Sequence, residues 1–105
     1  MVAEVSPLAL KERLAGPDAP LVLDVREPWE LAIVRLDGTR DIPMNAVPAR
    51  LSELPRDRDI VVMCRSGGRS LKVAEYLERM GYRTTNLTGG ILAWARDVDP
   101  ALPTY

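Results

Sequence analysis

The sequence predicts an α/β fold, a small, mostly parallel sheet with helices on both faces. Short apolar runs of strand length alternate from end to end with segments of helical periodicity, the order that builds βαβ units. The two strongest runs, Leu21-Val22-Leu23-Asp24-Val25 and Asp59-Ile60-Val61-Val62-Met63, are nearly continuous rather than alternating, as in strands buried on both faces. A length of 105 residues fits one domain around one core.

Each element has its own local reason. Ala3-Glu4-Val5 reads as a short first strand. Ser6-Pro7 then marks a helix start, with Ser as N-cap and Pro at the first helical position, and the helix runs to about Leu14. Gly16-Pro17-Asp18-Ala19-Pro20 is a loop before the Leu21–Val25 strand. Glu27 to Ala32 reads as a short helix, and a turn at Asp37-Gly38 leads to a weak strand around Asp41-Ile42. Asn45 is placed to cap a short helix carrying Leu51 and Leu54. After the Asp59–Met63 strand, Ser70 to Met80 is the strongest helix, with Leu71, Val73, Ala74, Leu77 and Met80 on one side. Gly81 is placed to end it in the left-handed conformation. Arg83 to Leu87 reads as the last strand, and Gly89-Gly90 leads to a final helix with Ile91, Leu92 and Trp94.

The composition narrows the chemistry. Apolar residues make up 47% and charged residues 28%, and the formal net charge is −1, so nothing in the totals points to nucleic acid. No apolar run is long enough to span a membrane, and no leader pattern is visible. The one cysteine forms no internal disulfide, which fits a reducing, cytoplasmic setting. With no histidine, a Ser-His or Cys-His pair and a histidine metal site are excluded within the chain. No metal site or cofactor is expected. The available chemistry is a thiol, carboxylates, hydroxyls, arginines and backbone dipoles.

That thiol, Cys64, opens the run Cys64-Arg65-Ser66-Gly67-Gly68-Arg69-Ser70 between a strand and a helix. A lone cysteine at a strand end is most often a small buried apolar residue. The residues that follow, however, are not core-formers. Paired glycines bring backbone N–H groups close to a bound group, and a helix N-terminus favours negative charge. Arg65 and Arg69 flank the loop, and Lys72 is one turn on. This setting should lower the thiol pKa from roughly 8.5 into the range of about 3.5–7.5. In open parallel sheets ligands bind outside the carboxyl ends of the strands, where Cys64 falls.

The loop Cys64–Ser70 resembles the active-site loop of the rhodanese family of sulfurtransferases. Leu23-Asp24-Val25-Arg26-Glu27-Pro28-Trp29-Glu30 resembles the family's early Asp-Val-Arg-Glu strand end, and Asn86-Leu87-Thr88-Gly89-Gly90-Ile91-Leu92-Ala93-Trp94 its C-terminal Gly-Gly-x-x-x-Trp element. The resemblance implies a three-layer, rhodanese-like domain over residues 1–105. It implies that Cys64 takes sulfur from thiosulfate or another sulfane donor, holds it as a persulfide, and passes it on. With no second thiol in the chain, the acceptor is external: cyanide, a thiol or a protein thiol. Arg65, Ser66, Gly67, Gly68, Arg69 and Ser70 are the expected donor and persulfide cradle. Arg69 is expected to help bind donor or persulfide, and Arg65 to supply field at the mouth. Asp24 is expected to be a structural carboxylate at a strand end.

Two alternatives remain. One is a persulfide carrier or binding module serving a partner protein. The other is a Cys-based phosphatase or arsenate reductase. These use Cys-x5-Arg, whereas this chain has Cys-x4-Arg with Ser70 at the phosphatase arginine position. The family's usual Gly-His-Ile-x-Gly-Ala stretch reads here Val34-Arg35-Leu36-Asp37-Gly38-Thr39, with Arg35 in place of the His. Trp29 and Trp94 are expected to pack against the sheet. Arg26, Glu27, Glu30 and Arg35 are expected to be solvated or in surface pairs.

Overall fold

A computed structural model describes all 105 residues. Five strands, β1 (Ala3–Val5), β2 (Leu21–Asp24), β3 (Arg40–Asp41), β4 (Ile60–Met63) and β5 (Thr84–Leu87), form one parallel sheet in the order β1-β5-β4-β2-β3. The helices are α1 (Pro7–Leu14), α2 (Pro28–Ile33), α3 (Gly68–Arg79) and α4 (Gly90–Asp97). Two 3-10 segments, Met44–Ala46 and Pro48–Glu53, join β3 to β4.

The two continuous apolar runs are the central strands, and every residue of β2 and β4 is buried. Their period of two splits the core. On one face, Leu21, Leu23, Val25, Ile60, Val62 and Cys64 pack against Val73, Ala74 and Leu77 of α3. On the other, Val22, Val61 and Met63 pack with Leu10 of α1 and Ile91 of α4. Strand parity thus turns Cys64 toward α3. Leu77 is fully buried at the centre of that face; truncating it to alanine would cost about 2–5 kcal/mol.

The helix ends follow their local chemistry. Ser6 caps α1, its hydroxyl accepting the Ala9 N–H at 3.1 Å, with Pro7 next. Gly81, left-handed, closes α3: its N–H donates to Glu78 O at 3.1 Å and the Tyr82 N–H to Leu77 O at 3.0 Å.

Four expectations change. The third strand is Arg40–Asp41, one residue early; Ile42 still donates its N–H to Asp24 O at 3.1 Å, and its side chain is fully buried in the α3-side core. Asn45 does not cap a helix. It lies inside the 3-10 segment Met44–Ala46, which starts after Pro43, and Leu51 falls in the second such segment, with Leu54 as its C-cap. Helix α3 begins at Gly68, two residues before Ser70, because left-handed Gly67 already turns the chain into the helix. Trp29 is 62% exposed and does not pack against the sheet. It stands on the outside of the short α2, edge-on to Tyr105 with ring centroids 6.0 Å apart. Trp94 is half-buried against the α1/α4-side core, as expected.

Candidate active site around Cys64

Cys64 follows β4 directly, at the carboxyl end of a central strand. It is 1% exposed, so its sulfur lies at the bottom of the Cys64–Ser70 loop. Three polar groups converge on Sγ: the Gly67 N–H at 3.1 Å, the Ser70 N–H at 3.4 Å and the Ser70 hydroxyl oxygen at 3.3 Å, whose one hydrogen is shared between Sγ and Asn86. Because α3 starts at Gly68, Ser70 sits in its first turn, where N–H groups have no intrahelical partner and the helix dipole is positive. Burial pushes the thiol pKa up. The Ser70 hydroxyl and the N–H groups of Ser70, Gly67 and Ser66 outweigh it and hold the pKa below the ordinary thiol value.

Two glycines make this loop possible. Gly67 has φ +107°, which side-chain-bearing residues rarely adopt, and this conformation turns its N–H inward to Sγ. Gly90, at the start of α4, approaches so closely that an added Cβ would lie 2.5 Å from the Cys64 carbonyl oxygen. That approach lets the Ile91 N–H donate to Cys64 O at 2.9 Å and the Leu92 N–H to Arg65 O at 3.1 Å. The first turn of α4 therefore anchors the near end of the loop. Ser66 and Gly68 are exposed along its rim, and a Cβ at Gly68 would meet nothing within 4 Å.

The arginines are engaged by the protein itself. Arg69 makes a forked pair with Glu30, Nη1 to Oε1 at 2.6 Å and Nη2 to Oε2 at 2.8 Å. Arg65 donates through Nε at 2.6 Å, and also through Nη2, to the main-chain oxygen of Tyr105, with its guanidinium 5.1 Å from that ring's centroid. Lys72 is exposed on α3.

Arg26 and Glu30 are not solvated, contrary to expectation: their exposures are 0% and 2%. Each is buried because its hydrogen-bonding capacity is met. Arg26 forks onto the fully buried Asp24, Nε to Oδ1 at 3.0 Å and Nη2 to Oδ2 at 2.8 Å, and also reaches Val34 O and the Tyr105 hydroxyl. Asp24 also accepts the Arg26 N–H at 3.0 Å, so it ties down the turn after β2. Glu30 accepts the Arg69 fork, the Tyr105 hydroxyl at 2.6 Å and the Glu27 N–H at 3.0 Å. Arg69 is the main reason its pKa is lowered to about 2, against the opposing effect of burial, with Tyr105 and Glu27 helping. Glu27 is half-buried at the α2 N-terminus. Arg35 is a surface pair, 2.5 Å from Asp41.

Asn86 was missed by sequence reasoning. It is 3% exposed and lies against Ser70, its Oδ1 2.6 Å from the hydroxyl oxygen. Its signals were its polar character near the end of a strand and its place at the head of the Asn86–Trp94 element, neither of which gave it a role. What makes it matter is the β4–β5 register, which sets Asn86 opposite Val62, two residues before Cys64 and on the same face. Tyr105 carries no periodic signal at all.

The sequence profile of the rhodanese-like domain matches residues 6–97. A sulfurtransferase of Allochromatium vinosum is 45% identical over 97 residues, 91% of either chain. The adenylyltransferase and sulfurtransferase uba4 of Ogataea parapolymorpha is 33% identical over 96 residues, 90% of this chain but 25% of that one. Among solved structures, a rhodanese-like domain protein from Staphylococcus aureus superposes with a TM-score of 0.87 at 30% identity, covering 99% of each chain.

Proposed function

The chain belongs to the rhodanese-like domain family of sulfurtransferases, and we propose that it moves one sulfane sulfur through a persulfide on Cys64. The observation that carries this reading is the convergence of two N–H groups and one hydroxyl on Sγ. In the first half-reaction the Cys64 thiolate attacks the outer sulfur of thiosulfate. A bond forms between Sγ and that sulfur, the bond to the SO3 group breaks, and its electron pair leaves with sulfite. The negative charge then sits on the outer sulfur of Cys–S–S−, within reach of the loop N–H groups. In the second half-reaction cyanide or a thiolate attacks that outer sulfur, forming thiocyanate or a new persulfide and returning the Cys64 thiolate. Two half-reactions on one nucleophile give ping-pong kinetics.

Ser66, Gly67, Gly68 and Ser70 supply the cradle in this reading, with Arg65 and Arg69 as flanking charge and Asp24 as support. The whole chain, 1–105, is taken as one such domain, acting in a reducing, cytoplasmic setting. The nearly buried sulfur suits a donor that presents a single sulfur atom, and the Cys-x4-Arg spacing disfavours a phosphoryl group. The lone cysteine requires an external acceptor. In the Ogataea relative the matching segment is a quarter of a longer protein. That arrangement favours a second reading, a persulfide carrier that delivers sulfur to a partner.

The test is intact mass after incubation with thiosulfate, with and without cyanide. A gain of one sulfur that cyanide removes, absent in Cys64→Ser, is the expected result. No gain from any sulfane donor would overturn the proposal. Rapid release to one protein thiol but not to cyanide would favour the carrier.

A further inference from the structure

A line of polar groups runs from the buried sulfur through Ser70 and Asn86 to exposed Glu4 on the edge strand β1. Sγ of Cys64 is 3.3 Å from Ser70 Oγ, and Ser70 Oγ is 2.6 Å from Asn86 Oδ1. On its other side, Asn86 Nδ2 is 3.2 Å from the Gly67 carbonyl oxygen and 3.3 Å from both carboxylate oxygens of Glu4. Glu4 is also held by the Thr88 hydroxyl at 2.9 Å.

These neighbours fix the amide's orientation. The Gly67 and Glu4 oxygens accept, so the NH2 group must face them. A flipped amide would press Oδ1 against three acceptors. Oδ1 therefore faces Ser70, and since an amide oxygen carries no hydrogen, the Ser70 hydroxyl must be the donor in that short contact. A hydroxyl has one hydrogen. While it points at Asn86, a lone pair of Oγ faces Sγ. That arrangement suits an S–H group or a neutral divalent sulfur, and opposes a thiolate.

We propose that Asn86 is a positioning residue for Cys64, holding the Ser70 hydroxyl hydrogen whenever Sγ is uncharged and releasing it to Sγ only when the sulfur is a thiolate. This rests on the sulfur-transfer reading above. As sulfite departs, charge moves from Sγ to the outer sulfur, and the hydroxyl turns back to Asn86. When the acceptor takes the outer sulfur, Sγ regains its charge and the hydroxyl turns toward it. No proton changes owner; one O–H bond reorients. Asn86 thus favours the persulfide over the free thiolate, and competes with Cys64 for its nearest side-chain donor.

The other charges around the loop are Arg69 of α3 paired with Glu30 of α2, Arg65 on Tyr105, the Arg26–Asp24 pair after β2, exposed Lys72, and Glu4 of β1 behind Asn86.

The experiment is the pH dependence of Cys64 alkylation by iodoacetamide, read by mass, in wild type, Asn86→Leu, Asn86→Ala, Ser70→Ala and the Ser70→Ala double variants. Freeing Ser70 should lower the thiol pKa, by up to about one unit, the equivalent of one net hydrogen bond. Ser70→Ala should raise it, and removing Asn86 should then have no further effect. An Asn86 that merely braces the loop gives the opposite sign, because a slack loop withdraws N–H donors. An upward or absent shift in the Asn86 variants, or a shift that persists without Ser70, overturns the proposal. Wild-type protein gives a second reading. The Asn86 side-chain carbonyl 13C shift should titrate with the midpoint of Cys64 alkylation, and a flat response there overturns the proposal even if no variant folds. Failure to load sulfur in the mass assay would sink the transfer reading separately, since neither measurement here uses a sulfur donor.

Discussion

Arg69 and Glu30, on α3 and α2, meet through two parallel hydrogen bonds of 2.6 and 2.8 Å. The arginine that closes the thiol loop is thus committed to a buried carboxylate, with 36% of its side chain exposed. It contributes field to the site while fastening the loop's far end to α2. Glu30→Gln keeps the shape and removes the charge. It should destabilise the fold by about 1–3 kcal/mol, less than for a fully buried pair because Arg69 is partly solvated. The urea midpoint measures this, and an unchanged midpoint would show that the fork contributes nothing.

The same carboxylate sets an acid limit. Its folded pKa of about 2 lies below its ordinary value of 4.5. The stabilisation is therefore fully present above the ordinary value and is lost as pH falls toward the folded one. The urea midpoint of wild type should decline between those two values, and Glu30→Gln should flatten part of that decline. An identical pH slope in the variant would contradict the assignment.

The glycines of the site should divide sharply. Gly90→Ala forces a Cβ to 2.5 Å from the Cys64 carbonyl oxygen at φ +61°, and should cost about 1–3 kcal/mol or more while slowing sulfur loading. Gly68→Ala meets open space within the first turn of α3 and should leave stability unchanged or raised by about 0.4–1 kcal/mol. Thermal denaturation of the two variants, side by side, tests the pair.

Tyr105→Phe removes a hydroxyl that donates to Glu30 at 2.6 Å and accepts from Arg26 at 3.0 Å. It should lower stability by about 1–2 kcal/mol, with the sulfur-loading rate within a factor of two of wild type. A large loss of loading at unchanged stability would instead make Tyr105 part of the reacting site.

Much of this was legible along the chain because its causes are local. Continuous apolar runs mark β2 and β4 as central strands, and Ser6-Pro7 and Gly81 mark helix ends. The thiol loop is contiguous, seven residues from Cys64 to Ser70, so its composition already described an anion cradle after a strand. Where local signals were weak the reading slipped. The start of α3 depended on the left-handed Gly67, and the Asn45 cap on polar character alone.

The sequence by itself determined the α/β class, the place of Cys64 at the carboxyl end of a central strand, and the loop that follows it. Only the tertiary structure decided which charges are buried and with whom. Arg69 finds Glu30 across 39 residues, Tyr105 finds Glu30 across 75, and Asn86 finds Glu4 across 82. Arg26 and Glu30 look like surface charges in one dimension because a charge prefers water unless a partner matches its geometry. For Glu30 that partner, Arg69, comes from a distant segment that only chain folding brings near; for Arg26 it is Asp24, two residues back, and folding supplies the burial and the Tyr105 hydroxyl.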